Sequence, residues 1–240
     1  MKKKPLDAQS MIVYEDEDYL VINKPAFLST LADRSSPNDV LSLFRERDPN
    51  IQVCHRLDKE TSGALLLSKN DEAFRHATMQ FQNREVEKVY HALVEGHFPE
   101  NAIQVDVALR VTGSGRAKPD KRLGKEAITL FRLKETVGKF SIVEAKPITG
   151  RTHQIRAHLA YIEYPICGDE FYGGQPIFLS ELKKAYKPKE GQEERSLLTR
   201  VALHAHSISF LGMKKNNISI LCDYPKNISD VITKIEKFGR

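Results

Sequence analysis

The stretch Ser62-Gly63-Ala64-Leu65-Leu66-Leu67 narrows the possible folds of this chain more than any other. It is apolar without alternation and only long enough for one strand, which predicts a strand covered on both faces. Just ahead of it lie His55, Arg56, Asp58 and Lys59, then a polar turn that ends at Gly63. A carboxylate at the entrance to such a strand is held rather than loose. On its residues alone Asp58 has two readings. It can be a turn former whose oxygen accepts backbone N–H groups, or a nucleophile or general base kept ionised by a nearby cation.

A second segment, Gly150-Arg151-Thr152-His153-Gln154-Ile155-Arg156-Ala157-His158-Leu159, bears on that choice. Thr152 is placed to cap a helix, and Ile155, Leu159 and Ile162 recur at i, i+4 and i+7 to form one apolar face. Polar residues crowd the helix start, where unpaired N–H groups favour anions. The chain therefore carries a fixed carboxylate and a fixed group of cations.

His-Arg-Leu-Asp-x-x-Thr-Ser-Gly at 55–63, followed about ninety residues later by Gly-Arg-x-His-Gln-Ile-Arg-x-His-Leu, resembles the RluA-type family of RNA pseudouridine synthases. Tyr19 to Pro25 is similar to the family's Leu-Val-x-Asn-Lys-Pro motif, Lys88-Val89-Tyr90 to its Lys-x-Tyr motif, and Leu203-His204-Ala205 also matches. The resemblance runs from about residue 12 to about residue 222. One departure is Phe27, where the family often has glycine; a bulky residue resists positive φ, so the turn is expected to differ locally.

The resemblance implies that uridines in ribosomal or transfer RNA are isomerised to pseudouridine. Asp58 would be the catalytic carboxylate, attacking the nucleoside or removing a sugar proton. Arg156 would be its paired cation, and Tyr90 would stack on the flipped base with a hydroxyl able to handle a proton. By itself a strand tyrosine such as Tyr90 reads as a boundary between core and water. Arg56 would fill the space the base leaves, Leu203 would wall the pocket, and His55, Thr61, Lys88, Arg151 and Gln154 would position the substrate. Lys24 is expected near the cleft. The isomerisation neither gains nor loses electrons and imports no group, so no cofactor is expected.

Charge and cysteines are consistent with this. The net charge of +5 is mild, but Arg110, Arg116, Lys118, Lys121, Arg122 and Lys125 fall in one stretch opposed only by Asp120. It reads as a solvated loop or as a mobile arm following RNA phosphates. Cys54, Cys167 and Cys222 are odd in number and lack metal spacing, which points to a reducing compartment and a cytoplasmic protein. His153 with His158, and His204 with His206, lack further ligands, so no metal site is expected. No membrane span or secretory leader is indicated, and a monomer is expected.

The expected fold class is α+β, a mixed, largely antiparallel central sheet flanked by helices. Residues 1–10 are expected as a flexible tail and 11–240 as one catalytic domain. A surface insertion is expected around 173–200, with a short helix from Leu179 to Tyr186. Ser36-Pro37 is expected to start a helix packed through Val40, Leu41 and Phe44. Asn70 or Asp71 should cap another, with Phe74, Ala77, Thr78 and Phe81 on one face, and a docking helix should follow Asn227. The N-terminal S4 domain common in the family is not expected here. Two other functions are compatible with these residues: a non-catalytic RNA-binding module on the same scaffold, and a hydrolase using His55 and Asp58, for which no Ser or Cys nucleophile motif is present.

Overall fold

A computed structural model describes residues 7–32, 38–183, 186 and 193–239. Its strands are Ile12–Glu15 (β1), Tyr19–Lys24 (β2), Gln52–Val53 (β3), Ser62–Ser68 (β4), Glu87–Glu95 (β5), Ile103–Asp106 (β6), Leu109–Val111 (β7), Ala117–Pro119 (β8), Ile128–Val137 (β9), Phe140–Pro147 (β10), Leu203–Leu211 (β11) and Asn217–Leu221 (β12). The helices are Val40–Arg45 (α1), Asp71–Gln82 (α2), Gln154–Tyr161 (α3), Leu179–Leu182 (α4) and Lys226–Phe238 (α5). The fold is α+β, as expected.

The chain forms two compact units, Met1–Lys88 with Ala205–Asp223, and Val89–His204 with Tyr224–Arg240. In the first, β4 pairs antiparallel with β2 and β3, β2 with β1, and β12 with β11, which lies beside β4. All seven residues of β4 are buried, as the unbroken apolar run predicts. Gly63 explains how β11 comes so near: its φ is 114°, and a Cβ there would overlap the Ala205 carbonyl oxygen and lie 2.7 Å from the Ala205 nitrogen. In the second unit the strand order is β5-β10-β9-β6, with antiparallel pairing throughout.

Several local expectations change. Gln9–Met11 form a single 3₁₀ turn with Met11 buried, while residues 1–6 of the expected tail lie outside the described residues. Ser36 and Pro37 also lie outside them, and α1 is capped by Asp39, whose side chain accepts the Ser42 N–H at 2.9 Å. In α2 the cap is Asn70, as expected, but Ala73, Ala77 and Gln80 are buried while Phe74, Thr78 and Phe81 are half-buried. Gln80 belongs to that face because its amide serves both the N–H and the carbonyl of Leu211. Val89 to Val94 of β5 are buried without alternation, because the strand is covered on both faces. Helix α4 is a single turn, and residues 184–185 and 187–192 lie outside the described residues. In α5, Ile228, Val231 and Ile235 are buried as a docking face.

The basic stretch is not an unstructured arm. β7 and β8 form a hairpin with Leu109 opposite Pro119 and Val111 opposite Ala117. Asp120 organises its far end, binding Arg110 Nε at 2.7 Å and accepting the N–H groups of Arg122 and Leu123. Local acceptors thus offset the crowding of positive charge that made the stretch look unstructured. Among the described residues no helix is long and apolar enough to cross a membrane, and no cluster suits a metal ion.

Candidate active site

Asp58 sits where three backbone restraints meet in the first unit. Thr30 is buried and clamps the preceding residue, its Oγ1 donating to the Leu57 carbonyl at 2.9 Å and accepting the Leu57 N–H at 3.1 Å. The Asp58 carbonyl accepts the Thr61 N–H at 3.0 Å, closing a turn, and Thr61 is buried. The Lys59 carbonyl takes the Phe27 N–H at 2.7 Å and lies 3.4 Å from the Lys24 ammonium. Lys24 is fully buried, and its Nζ also donates to the carbonyls of Pro25 and Leu28. A buried ammonium shared among the carbonyls of Pro25, Leu28 and Lys59 is a strong local staple, since each of them offsets part of the cost of burying the charge.

Phe27 corrects the expectation that its turn would avoid positive φ. Its φ is 67°, left-handed despite the ring, and its N–H is the donor to Lys59. Keeping that bond requires the turn, and the strain of roughly 1 kcal/mol for a non-glycine residue is small against the restraint it provides.

Arg56 is exposed. His55 is different: its ring lies 4.9 Å from that of Phe81, and its Nε2 accepts the Leu66 N–H at 3.1 Å. Burial, with help from the Lys88 ammonium, pushes its pKa from 6.5 down to about 3. Lys88 itself lies 5.6 Å from the Phe81 ring centroid and is lowered by burial. His55 therefore braces β4 as a neutral acceptor.

This has a measurable consequence. As pH falls below 6.5 the unfolded chain takes up a proton that folded His55 refuses until about pH 3, so stability is full above that window and is lost on descending through it. Between pH 6 and 4 the unfolding free energy of the wild type should fall more steeply than that of His55→Gln, by up to about 1.4 kcal/mol per pH unit. Urea unfolding at a series of pH values measures both slopes; equal slopes would remove His55 from this role.

The second unit carries Tyr90, Arg151, Gln154, Arg156 and Leu203. Tyr90 lies on β5 opposite Ala145 of β10 and is 9% exposed. Leu203 is buried at the start of β11. At the head of α3 the cap is His153 in a left-handed conformation, not Thr152. The reason lies in Gln154, whose Oε1 accepts the Arg151 N–H at 2.9 Å and the Thr149 hydroxyl at 2.7 Å while its Nε2 donates to the Ile128 carbonyl and Thr129 Oγ1. Gln154 thus fastens the helix start to β9 from inside, and Arg151 donates to the Glu126 carbonyl.

Arg156 is 7% exposed. Asp169 holds it bidentately, Nε to Oδ2 and Nη2 to Oδ1, both at 2.7 Å. Such a fork fixes the guanidinium plane, and its buried charge is compensated inside the same unit. Asp169 was not legible as a partner. The signal was present in Gly168-Asp169-Glu170-Phe171-Tyr172-Gly173-Gly174, where Gly168 and Gly173 have φ of 75° and 91°. Tyr172, at the edge of the expected insertion, is instead buried with Leu109, Ala117, Ala127 and Ala157.

Comparison with known proteins agrees with this architecture. A family model described as RNA pseudouridylate synthase matches residues 18–161. The chain is 32% identical to the ribosomal large subunit pseudouridine synthase C of Vibrio cholerae serotype O1, over 98% of this chain and 72% of that protein. It is 33% identical to the dual-specificity RNA pseudouridine synthase RluA of Vibrio parahaemolyticus, over 95% of this chain and 89% of that protein. The solved structure of human RNA pseudouridylate synthase domain containing 1 is similar with a TM-score of 0.70 and 28% identity, covering 92% of this chain and 86% of that one.

Proposed function

The chain belongs to the RNA pseudouridylate synthase family, and from that premise we propose that Asp58 is the carboxylate that releases and re-joins a uracil in ribosomal or transfer RNA. The N1–C1′ bond breaks, the base turns, C5 bonds to C1′, and the C5 proton leaves as N1 gains one. Cleavage builds positive character on the sugar, which a fixed anion stabilises. Asp58 does this by attacking C1′ or by removing a sugar proton, and each route needs the same restrained carboxylate. Arg156 supplies a cation to the chemistry, Tyr90 stacks on the extruded base, Arg56 fills the vacated stack and Leu203 walls the pocket. Exposed Arg110, Lys118, Lys121 and Arg122 on and beside the hairpin follow phosphates.

The observation that carries this reading is the triple backbone restraint around Asp58, by Thr30, Thr61 and the Lys24–Phe27 turn. A turn-forming aspartate gains nothing from a buried ammonium bracing the next residue. A pre-set carboxylate gains by needing no reorganisation when charge develops.

The test is tritium release. Transcripts of cellular ribosomal and transfer RNA carrying tritium at C5 of uridine are incubated with the protein, and released label is counted. One equivalent per modified site is expected, with the site found by comparing modification maps of RNA from cells with and without the gene. Tight binding with no release on any RNA would favour the non-catalytic module.

Tyr90→Phe is expected to slow release by about 10²-fold or more if its hydroxyl handles a proton, with RNA affinity kept. Tyr90→Leu should also weaken affinity by about 1–3 kcal/mol through the lost stack. Affinity titration beside single-turnover release separates the two; a Tyr90→Phe rate equal to wild type would confine the residue to stacking.

A further inference from the structure

We propose that Asp169 and Tyr172 are positioning residues for Arg156, and that Arg116 ties the β7–β8 hairpin into the same array, so that seating of the hairpin governs the rate of the chemical step. The inference rests on the role given to Arg156 above.

The geometry lies wholly within the second unit. Asp169 fixes the Arg156 guanidinium through two bonds of 2.7 Å. The same guanidinium lies 5.1 Å from the centroid of the Tyr172 ring, and that of Arg116 lies 5.0 Å from the same centroid and 5.6 Å from that of Phe171. One buried ring therefore receives two cations, one from the helix with the site arginine and one from the hairpin. The Tyr172 hydroxyl accepts the Ala117 N–H at 2.8 Å, so the hairpin is also fastened to the ring's far end. His153 Nδ1 lies 3.2 Å from that hydroxyl, which links the cap of α3 to the same point.

Asp169 and Tyr172 are held as one piece. The Asp169 carbonyl accepts the N–H groups of Tyr172 and Gly174, both at 2.9 Å. A side chain at Gly174 would overlap the Ile166 carbonyl, and Gly173 is left-handed. A shift of the hairpin is therefore carried through a stiff ring to a guanidinium that has little room of its own. A purely structural pair would need neither the second cation nor the bond from the hairpin backbone.

Single-turnover tritium release over a range of enzyme concentrations distinguishes the two roles, because unfolding raises the protein concentration needed to reach saturation whereas misplacement lowers the saturated rate constant. Asp169→Asn and Tyr172→Leu are expected to lower the saturated rate constant by about 100-fold with the protein requirement and RNA Kd retained, and Asp169→Glu to recover part of the loss. Arg116→Lys keeps the charge for phosphate but loses the planar group; it should slow release by about tenfold with Kd within about twofold. Tyr161→Ala, exposed on the same helix as Arg156, should match wild type.

A raised protein requirement with an unchanged saturated rate constant overturns the proposal. So does an Arg116→Lys variant that loses affinity while keeping the wild-type rate. If Asp169→Asn and Tyr172→Leu yield only unfolded chain, Arg116→Lys on the hairpin decides alone, and a wild-type rate there is fatal. A wild type that releases no label from any RNA overturns the assignment of Arg156 itself, an outcome recognisable before any variant is made.

Discussion

Asp58→Asn is expected to abolish tritium release, lowering the single-turnover rate constant on the order of 10⁴-fold or more while leaving RNA affinity within about threefold. Asparagine has the same volume and keeps an acceptor oxygen, so the turn survives; the bond that closes it is made by the Asp58 main-chain carbonyl to Thr61, which the substitution does not touch. What vanishes is the negative charge. In either route that charge is needed as the sugar becomes positive, and an amide can neither attack C1′ nor take a proton at neutral pH. RNA binding draws on phosphate contacts and base stacking instead, so affinity should be spared. A residual rate within tenfold of wild type would remove Asp58 from the chemistry and leave it as a turn former.

The second large effect concerns folding. Gly63→Ala should destabilise the protein by about 4 kcal/mol or more, a large share of the roughly 5–15 kcal/mol that holds a native domain folded. Two penalties coincide there. The φ of 114° is open to glycine and costly for alanine, and the added methyl would overlap the Ala205 backbone, which cannot turn aside as a flexible side chain would. Relief would require β4 and β11 to separate, and β4 is buried along its whole length. Denaturant unfolding of the purified variant measures the loss. Gly113→Ala, where a Cβ meets nothing within 4 Å, is the matched control and should fall within about 0.5 kcal/mol of wild type. A Gly63→Ala protein as stable as that control would show that the strands can move apart.

The sequence made some elements plain because short-range chemistry specifies them. Seven consecutive positions without a solvent face can only be an inner strand, and β4 is one. Asn70 before an amphipathic run caps α2. The motifs around Asp58 and Arg156 were equally legible, since their residue types and order survive without any knowledge of packing.

Other features depended on residues distant in sequence. Thr152 has the chemistry of a cap, yet the side chain of Gln154 reaches back to Arg151 and across to β9, and His153 becomes the cap instead. The basic stretch 110–125 reads as a solvated loop or a mobile arm, but Asp120 and the Tyr172 hydroxyl supply acceptors, the latter for the Ala117 N–H, and the Tyr172 ring supplies a surface to fold against.

By itself the sequence determined the inner strand, the cap of α2 and the motifs that mark the family, because hydrophobic pattern, capping preference and residue order are properties of neighbours along the chain. Only the tertiary structure decided that His55 is a neutral brace and that Asp169 grips Arg156. A pKa and an ion pair are set by whichever groups share a low-dielectric space, and residues 13 positions apart enter that space only when the chain has folded.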